Sequence, residues 1–296
     1  MTRLRALLLL LVLARAVPAQ SDPKHPEFNA ARAYRDLVKQ CAFGPRVPGT
    51  PAHERCADWL VTQLKPLAHS VTRQRFSTTV NGTTLHLTNV IATFNPKGKG
   101  DVLLCAHWDT RPRAECDPDP AKRGQPILGA NDGASGVAVL LEIARALKAH
   151  PPHQRVTLVL FDGEDYGRDV EGMFLGSRYF ARQYAGRPPD WAALLDMVGD
   201  RDLRLPQEAI SLARAPQVVA RIWAAAARAG STAFVATRGE SILDDHVPLL
   251  ERGLPCVDII DFTYPPWHTT ADTPDKCSAE SLGQVGRALL KALAEG

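Results

Sequence analysis

Apolar residues recur at helical spacing from Asn29 to Cys41 and from Pro51 to Leu67, with Cys56, Leu60 and Leu64 on one stripe, so two amphipathic helices are predicted ahead of any sheet. The stretch between them, FGPRVPGTPAH, is a Pro/Gly loop. Residues 72–80 and 83–95 alternate around Asn81-Gly82, the strongest short hairpin signal, which predicts an antiparallel pair. Beyond it, short continuous apolar runs alternate with longer helical ones: DVLLCAHWD, GVAVLLEIARALKAH, VTLVLFD, a helix near 173–184, and WAALLDMVG. PQVVARIWAAAARAG, HVPLLERG, CVDIIDF and SAESLGQVGRALLKALAEG continue this as helix, helix, strand and terminal helix. Strands that are apolar throughout are buried on both faces, as in parallel sheets covered by helices. The predicted fold is an α/β three-layer sandwich whose central mixed, mostly parallel sheet is flanked by helices.

The first residues, MTRLRALLLLLVLARAVPAQ, place two arginines before an apolar stretch from Ala6 to Ala14 and a small-residue exit at Val17-Pro18-Ala19. That layout is a secretory signal peptide over residues 1–19, leaving 20–296 as a single catalytic α/β domain that is secreted or periplasmic. The stretch is too short to span a bilayer, and no other segment approaches the roughly 20 apolar residues a membrane helix needs. Over the whole chain 35 Lys and Arg face 32 Asp and Glu; cleavage would remove Arg3, Arg5 and Arg15 and no acid, bringing the formal charge to zero. A nucleic-acid footprint is not expected. Without a linker or repeat, the expectation is one domain; a monomer is expected as well. The six cysteines are an even number in an exported chain, so disulfides are permitted; Cys105 and Cys256, inside apolar strands, also read as buried thiols.

Four polar clusters follow apolar runs: AHWDTR at 106–111, GANDGASG at 129–136, FDGED at 161–165 and PPWHTTAD at 265–272. With Asp196 at the end of an apolar strand, they bring together His107, Asp132, Glu164, Asp165 and His268 as a candidate divalent-metal site with a carboxylate base beside it. Imidazole and carboxylate are ligands that suit a catalytic zinc with one position open to substrate. Ligands of such sheets bind beyond the carboxyl ends of the strands, where these residues fall. Each motif also has a plainer reading. Asp132 suits a helix cap, Asp196 a loop cap, and Asp244, Asp245 and His246 the start of a helix. Ser135 is not a nucleophile elbow, because Val137 stands where that motif needs glycine. FDGED is the most specific cluster: three carboxylates this close repel one another unless a cation or proton relieves them.

AHWDTRP, GANDGASGVAVLLEIAR, FDGEDYG followed by FLGSRYFA, ILDDHVPLLERGLPC and WHTTADT together resemble the zinc-dependent glutaminyl cyclases, particularly the bacterial type, which share the zinc aminopeptidase-like fold. The resemblance runs from FGPRVPGTPAH to the terminal helix. It implies conversion of N-terminal glutamine of peptides or proteins to pyroglutamate with release of ammonia. It further implies one zinc ion on Asp132, Asp165 and His268, Glu164 as proton shuttle, Asp196 and Asp244 as supporting catalytic acids, and Trp267 and Tyr264 at the substrate pocket. His107 and Asp196 would complete a second metal site only in a zinc aminopeptidase, the rival reading, in which Glu164 would activate water. A non-catalytic binding domain on the same fold is a third reading, and the retention of all six candidate residues speaks against it. One departure is visible: the animal cyclases carry a tryptophan shortly after the acidic pair, whereas here the stretch reads YGRDVEGM.

Overall fold

The computed structural model describes residues 27–295; the signal segment expected at 1–19 lies outside them. Two helices lead, α1 (Ala30–Cys41) and α2 (Pro51–Leu64). Asn29 and Thr50 cap them by accepting hydrogen bonds from Arg32 N and His53 N, and Pro51 opens α2, where its missing N–H costs nothing. Strands β1 (Ser70–Val80) and β2 (Thr83–Phe94) form the expected hairpin. Its turn holds Asn81 at φ 49° and Gly82 at φ 78°, the left-handed pair that such a tight turn demands.

The chain then alternates: β3 (Asp101–His107), α3 (Ala134–Ala149), β4 (Arg155–Phe161), α4 (Leu175–Gln183) and β5 (Trp191–Asp196). A smaller insertion follows, of β6 (Leu205–Gln207), α5 (Ala209–Arg214), α6 (Pro216–Arg228) and β7 (Phe234–Arg238). Then come α7 (His246–Glu251), β8 (Cys256–Ile260) and α8 (Ala279–Ala294). The six-stranded sheet has the order β1-β2-β4-β3-β5-β8; β2 is antiparallel to both neighbours, and β4, β3, β5 and β8 run parallel. This is the mixed, mostly parallel sandwich the sequence predicts. Parallel β6 and β7 pair separately, and the sequence pattern announced neither them nor α5.

The apolar runs are continuous because both faces of the sheet are covered. Val102, Leu104 and Ala106 of β3, with Val156, Leu158 and Leu160 of β4, pack into the larger core beside α1, α2, α3, α6 and α8. Leu103, Cys105, Val159 and Phe161 turn the other way, onto Phe180 of α4 and Leu249 of α7. A Leu104→Ala change would cost about 2–5 kcal/mol here, since the cavity it leaves could not collapse easily. Helix α3 lies close on the sheet: a Cβ at Gly136 would sit 2.2 Å from the carbonyl oxygen of Leu195. That close approach sets the start of α3 against the ends of β3 and β5. All six cysteines are free, with Cys105 and Cys256 buried in their strands, so the thiol reading holds for both.

Candidate active site

The carboxyl ends of β3, β4 and β5 deliver His107, the loop 162–165 and Asp196 to one edge of the sheet, and the start of α3 brings Asp132 to them. Asp132 is not a helix cap, contrary to its plainer reading. Gly133 holds the cap position at φ 98°, with no side-chain hydrogen bond to the helix end. A Cβ at Gly133 would lie 2.5 Å from the Asp109 carbonyl oxygen, so the crossing is tight as well as left-handed.

Buried carboxylates one layer back fix the backbone of the site. Asp109 accepts from Glu164 N at 3.1 Å and from Asp165 N at 3.2 Å. Gripping successive amides sends the two side chains apart: Glu164 Oε2 lies 3.7 Å from His107 Nδ1, whereas Asp165 Oδ1 lies 3.4 Å from His268 Nε2. Asp272 does the same for the next segment, accepting from Asn131 N at 2.8 Å and Asp132 N at 3.1 Å. Tyr264 donates its hydroxyl to Asp272 at 2.8 Å. His268 sits at φ 53°, a conformation rare outside glycine, and Trp267 stacks on its ring at 3.8 Å between centroids.

Asp132, Asp165 and His268 offer ligand atoms that all lie within 4.8 Å of one another, and all three residues are buried. Asp165 Oδ2 has no hydrogen-bond partner although it is buried, which is costly unless something positive meets it. Two carboxylates and an imidazole converging in this way fit zinc with a position left open. His107, Asp132 and Glu164 make a second group of equal tightness. There, His107 Nε2 lies 3.1 Å from Asp196 Oδ1 and 3.2 Å from Asp132 Oδ1.

The acids of the site separate by environment. Burial would raise the Asp165 carboxyl, but His268 and then Arg111, whose guanidinium also reaches its carboxylate, hold it below the usual range. Burial, then the charge of Asp165, pushes Glu164 well above the usual range. Asp244 is likewise raised well above, by burial and then by Asp196 and Asp245. Burial opposes charge on His107, yet Asp196, Asp109 and Asp132 outweigh it and hold that imidazole well above its ordinary value. Adjacent carboxyl groups with opposite shifts suit a metal ligand beside a proton carrier.

These residues line a cavity of about 180 Å³, with Asp132, Glu164, Asp165, Asp196, Asp244 and His268 on its floor and Ile242, Leu243, Phe262 and Trp267 among its walls. Met173, the last residue of the YGRDVEGM stretch, also lines it. Tyr264 does not. It is 3% exposed and stands behind the wall, where its hydroxyl supports Asp272, so its place is supportive and not in the pocket as the sequence suggested. Asp109, Arg111 and Asp272 carry no sequence signal of their own. All three lie inside AHWDTR and WHTTAD, but their partners are backbone amides and neighbouring side chains that spacing alone does not reveal.

Residues 89–293 match peptidase family M28. The chain belongs to that family. Among the curated relatives of this chain is a glutaminyl-peptide cyclotransferase of Drosophila melanogaster, 27% identical over 82% of this chain and 75% of that protein. The solved glutaminyl cyclase of Bacteroides thetaiotaomicron, bound to N-acetylhistamine, superposes with a TM-score of 0.89 at 36% identity over 92% of this chain and 99% of that one. A Zn-dependent exopeptidase from Parabacteroides distasonis superposes with a TM-score of 0.88 at 36% identity over the same 92% and 99%. Among the described residues, no helix is long and apolar enough to cross a membrane.

Proposed function

We propose that this M28 protein is a glutaminyl-peptide cyclotransferase, closing the N-terminal glutamine of peptides or proteins to pyroglutamate and releasing ammonia. The observation that carries this reading is the sharing of one small cavity by a three-residue candidate metal set and Glu164, whose carboxyl is raised well above its usual range. The likeness to glutaminyl cyclases over nearly the whole chain supports it. One zinc ion held by Asp132, Asp165 and His268 would supply Lewis acidity toward the γ-carbonyl of the glutamine.

The protein's own groups supply the rest. The nucleophile and the electrophile belong to one residue, so the walls need only fold the glutamine side chain back on its own amine, with Trp267 as one wall. Asp196 and Asp244, both lining the cavity, hold the α-amine by accepting its hydrogens. Glu164 takes a proton from that amine as its nitrogen bonds to the γ-carbon, then returns one to the amide nitrogen, which leaves as ammonia. No water is consumed. A carboxyl raised above its usual range suits a group that must both take and give a proton, a role worth about 10² to 10⁴ in rate.

The two-metal aminopeptidase reading rests on the tight grouping of His107 with Asp132 and Glu164, next to Asp196. Zinc content decides between them. The cyclase carries one equivalent per chain and loses ammonia release when chelated; two equivalents with hydrolysis of N-terminal residues would overturn it. Export to the periplasm or beyond, and a monomeric state, complete the reading.

A further inference from the structure

We infer that Leu243 and Phe262 form a subsite for the residue that follows the N-terminal glutamine, and that this subsite selects a large apolar side chain. The inference rests on the cyclase reading of the cavity. Reacting groups lie on the floor of a space of only about 180 Å³, so the rest of a peptide substrate must leave through the mouth. At that mouth Leu243 is 55% exposed and Phe262 38% exposed; among the described residues, the only other exposed large apolar side chains are Val38 and Val170. Exposed apolar surface gathered at one place marks a contact site, whereas scattered single residues would need no explanation.

The two residues are continuous with the catalytic floor. Phe262 packs on Trp267 with ring centroids 4.9 Å apart, and Trp267 stacks on His268, so an apolar strip runs from the metal cluster to solvent. Ile242 and Leu243 form another part of the same lining. Both loops are held rigidly by buried carboxylates. Glu208 accepts from Ile242 N at 3.0 Å, and Asp261 accepts from Arg204 N at 2.7 Å and Thr263 N at 3.0 Å. Exposed side chains on anchored backbone are pre-organised to bind, which reduces the entropy lost on contact. Glu240 lines the cavity and is exposed, so an Asp or Glu in the second position meets repulsion there.

The test is the rate of ammonia release, as kcat/KM, from Gln-Leu, Gln-Phe, Gln-Gly and Gln-Asp peptides of equal length. We expect Gln-Leu and Gln-Phe to exceed Gln-Gly by roughly tenfold, with Gln-Asp lowest, as the difference of one apolar side chain in a pocket allows. Leu243→Ser, Phe262→Ser and their combination should bring the Gln-Leu to Gln-Gly ratio toward one. A wild-type ratio within twofold of one, or a ratio unmoved in the combined variant, overturns the subsite while leaving the cyclase reading standing. Absence of ammonia from every Gln peptide overturns the cyclase reading itself, and the subsite with it.

Discussion

Two clusters in this molecule carry the same residue types. Asp132, Asp165 and His268 form one, and Asp244, His246 and Asp258 the other, and in both the ligand atoms lie within 4.8 Å of one another. Their surroundings differ. The first opens on the cavity and has Arg111 against Asp165, which stays ionised. The second is sealed except at Asp244. His246 and Asp258 are fully buried, and Asp258 is pushed well above the usual carboxylate range by burial and then by the charge of Asp244. Glu208, 3.4 Å from His246, goes the other way. Burial would raise it, but His246 and the amides of Ile210, Ser211 and Ile242 hold it down to about 2. The open cluster thus keeps an anionic carboxylate facing the cavity, while in the sealed one burial pushes the acids up and the neighbouring Glu208 ties down the loop that carries Asp244. Residue types at metal-ligand spacing do not make a catalytic centre; cationic neighbours and an open position do.

That contrast can be broken most sharply by metal content. Removing a ligand from the open cluster, as His268→Ala or Asp165→Asn, should abolish zinc binding and bring activity to background, whereas Asp258→Asn should retain its full zinc equivalent. Loss of zinc from Asp258→Asn would erase the distinction. Next in size, Glu164→Gln should keep zinc and lower kcat/KM by about 10² to 10⁴. Comparable turnover in that variant would remove Glu164 from its role.

The sealed cluster makes a prediction about pH. The folded pKa of Glu208, about 2, lies below its ordinary value of 4.5, so its contribution is present above pH 4.5 and is lost as pH falls toward 2. At about 1.4 kcal/mol per pKa unit this is about 3 kcal/mol. Denaturant melts of wild type and Glu208→Gln should therefore differ most at neutral pH and converge in acid; curves that stay parallel would show that Glu208 is not held as an anion. The smallest effect belongs to Tyr264→Phe. It removes one hydrogen bond from Asp272, two steps from the metal, and should weaken zinc by about tenfold while sparing the glutamine KM. A large rise in that KM would put Tyr264 in the pocket after all.

Sheet and hairpin were legible because their signals are local. Asn81-Gly82 specifies a turn, and a run such as VTLVLF has only Thr157 to give to solvent. By contrast, β6 is three residues with a proline at its centre, and β7 is mostly exposed, so neither carries an apolar pattern. The candidate ligands were legible as acids and an imidazole in polar clusters that follow apolar runs. What holds them was not, since Asp109 and Asp272 act on backbone amides far away in the chain, 141 positions for Asn131 with Asp272. Tyr264 was misplaced for a similar reason. It lies four residues before His268, but the turn through Pro265 and Pro266, closed by Trp267 N donating to the Tyr264 carbonyl at 3.2 Å, separates the two side chains, leaving Trp267 in the wall and Tyr264 behind it.

The central claim is intramolecular cyclisation in preference to hydrolysis, and one measurement addresses it directly: the zinc-loaded protein incubated with a Gln-initiated peptide and, separately, with the same peptide beginning in Leu. A cyclase releases ammonia with retention of every residue from the first, and leaves the second unchanged. Removal of the N-terminal residue from the Leu peptide, with no ammonia from the Gln peptide, would contradict it.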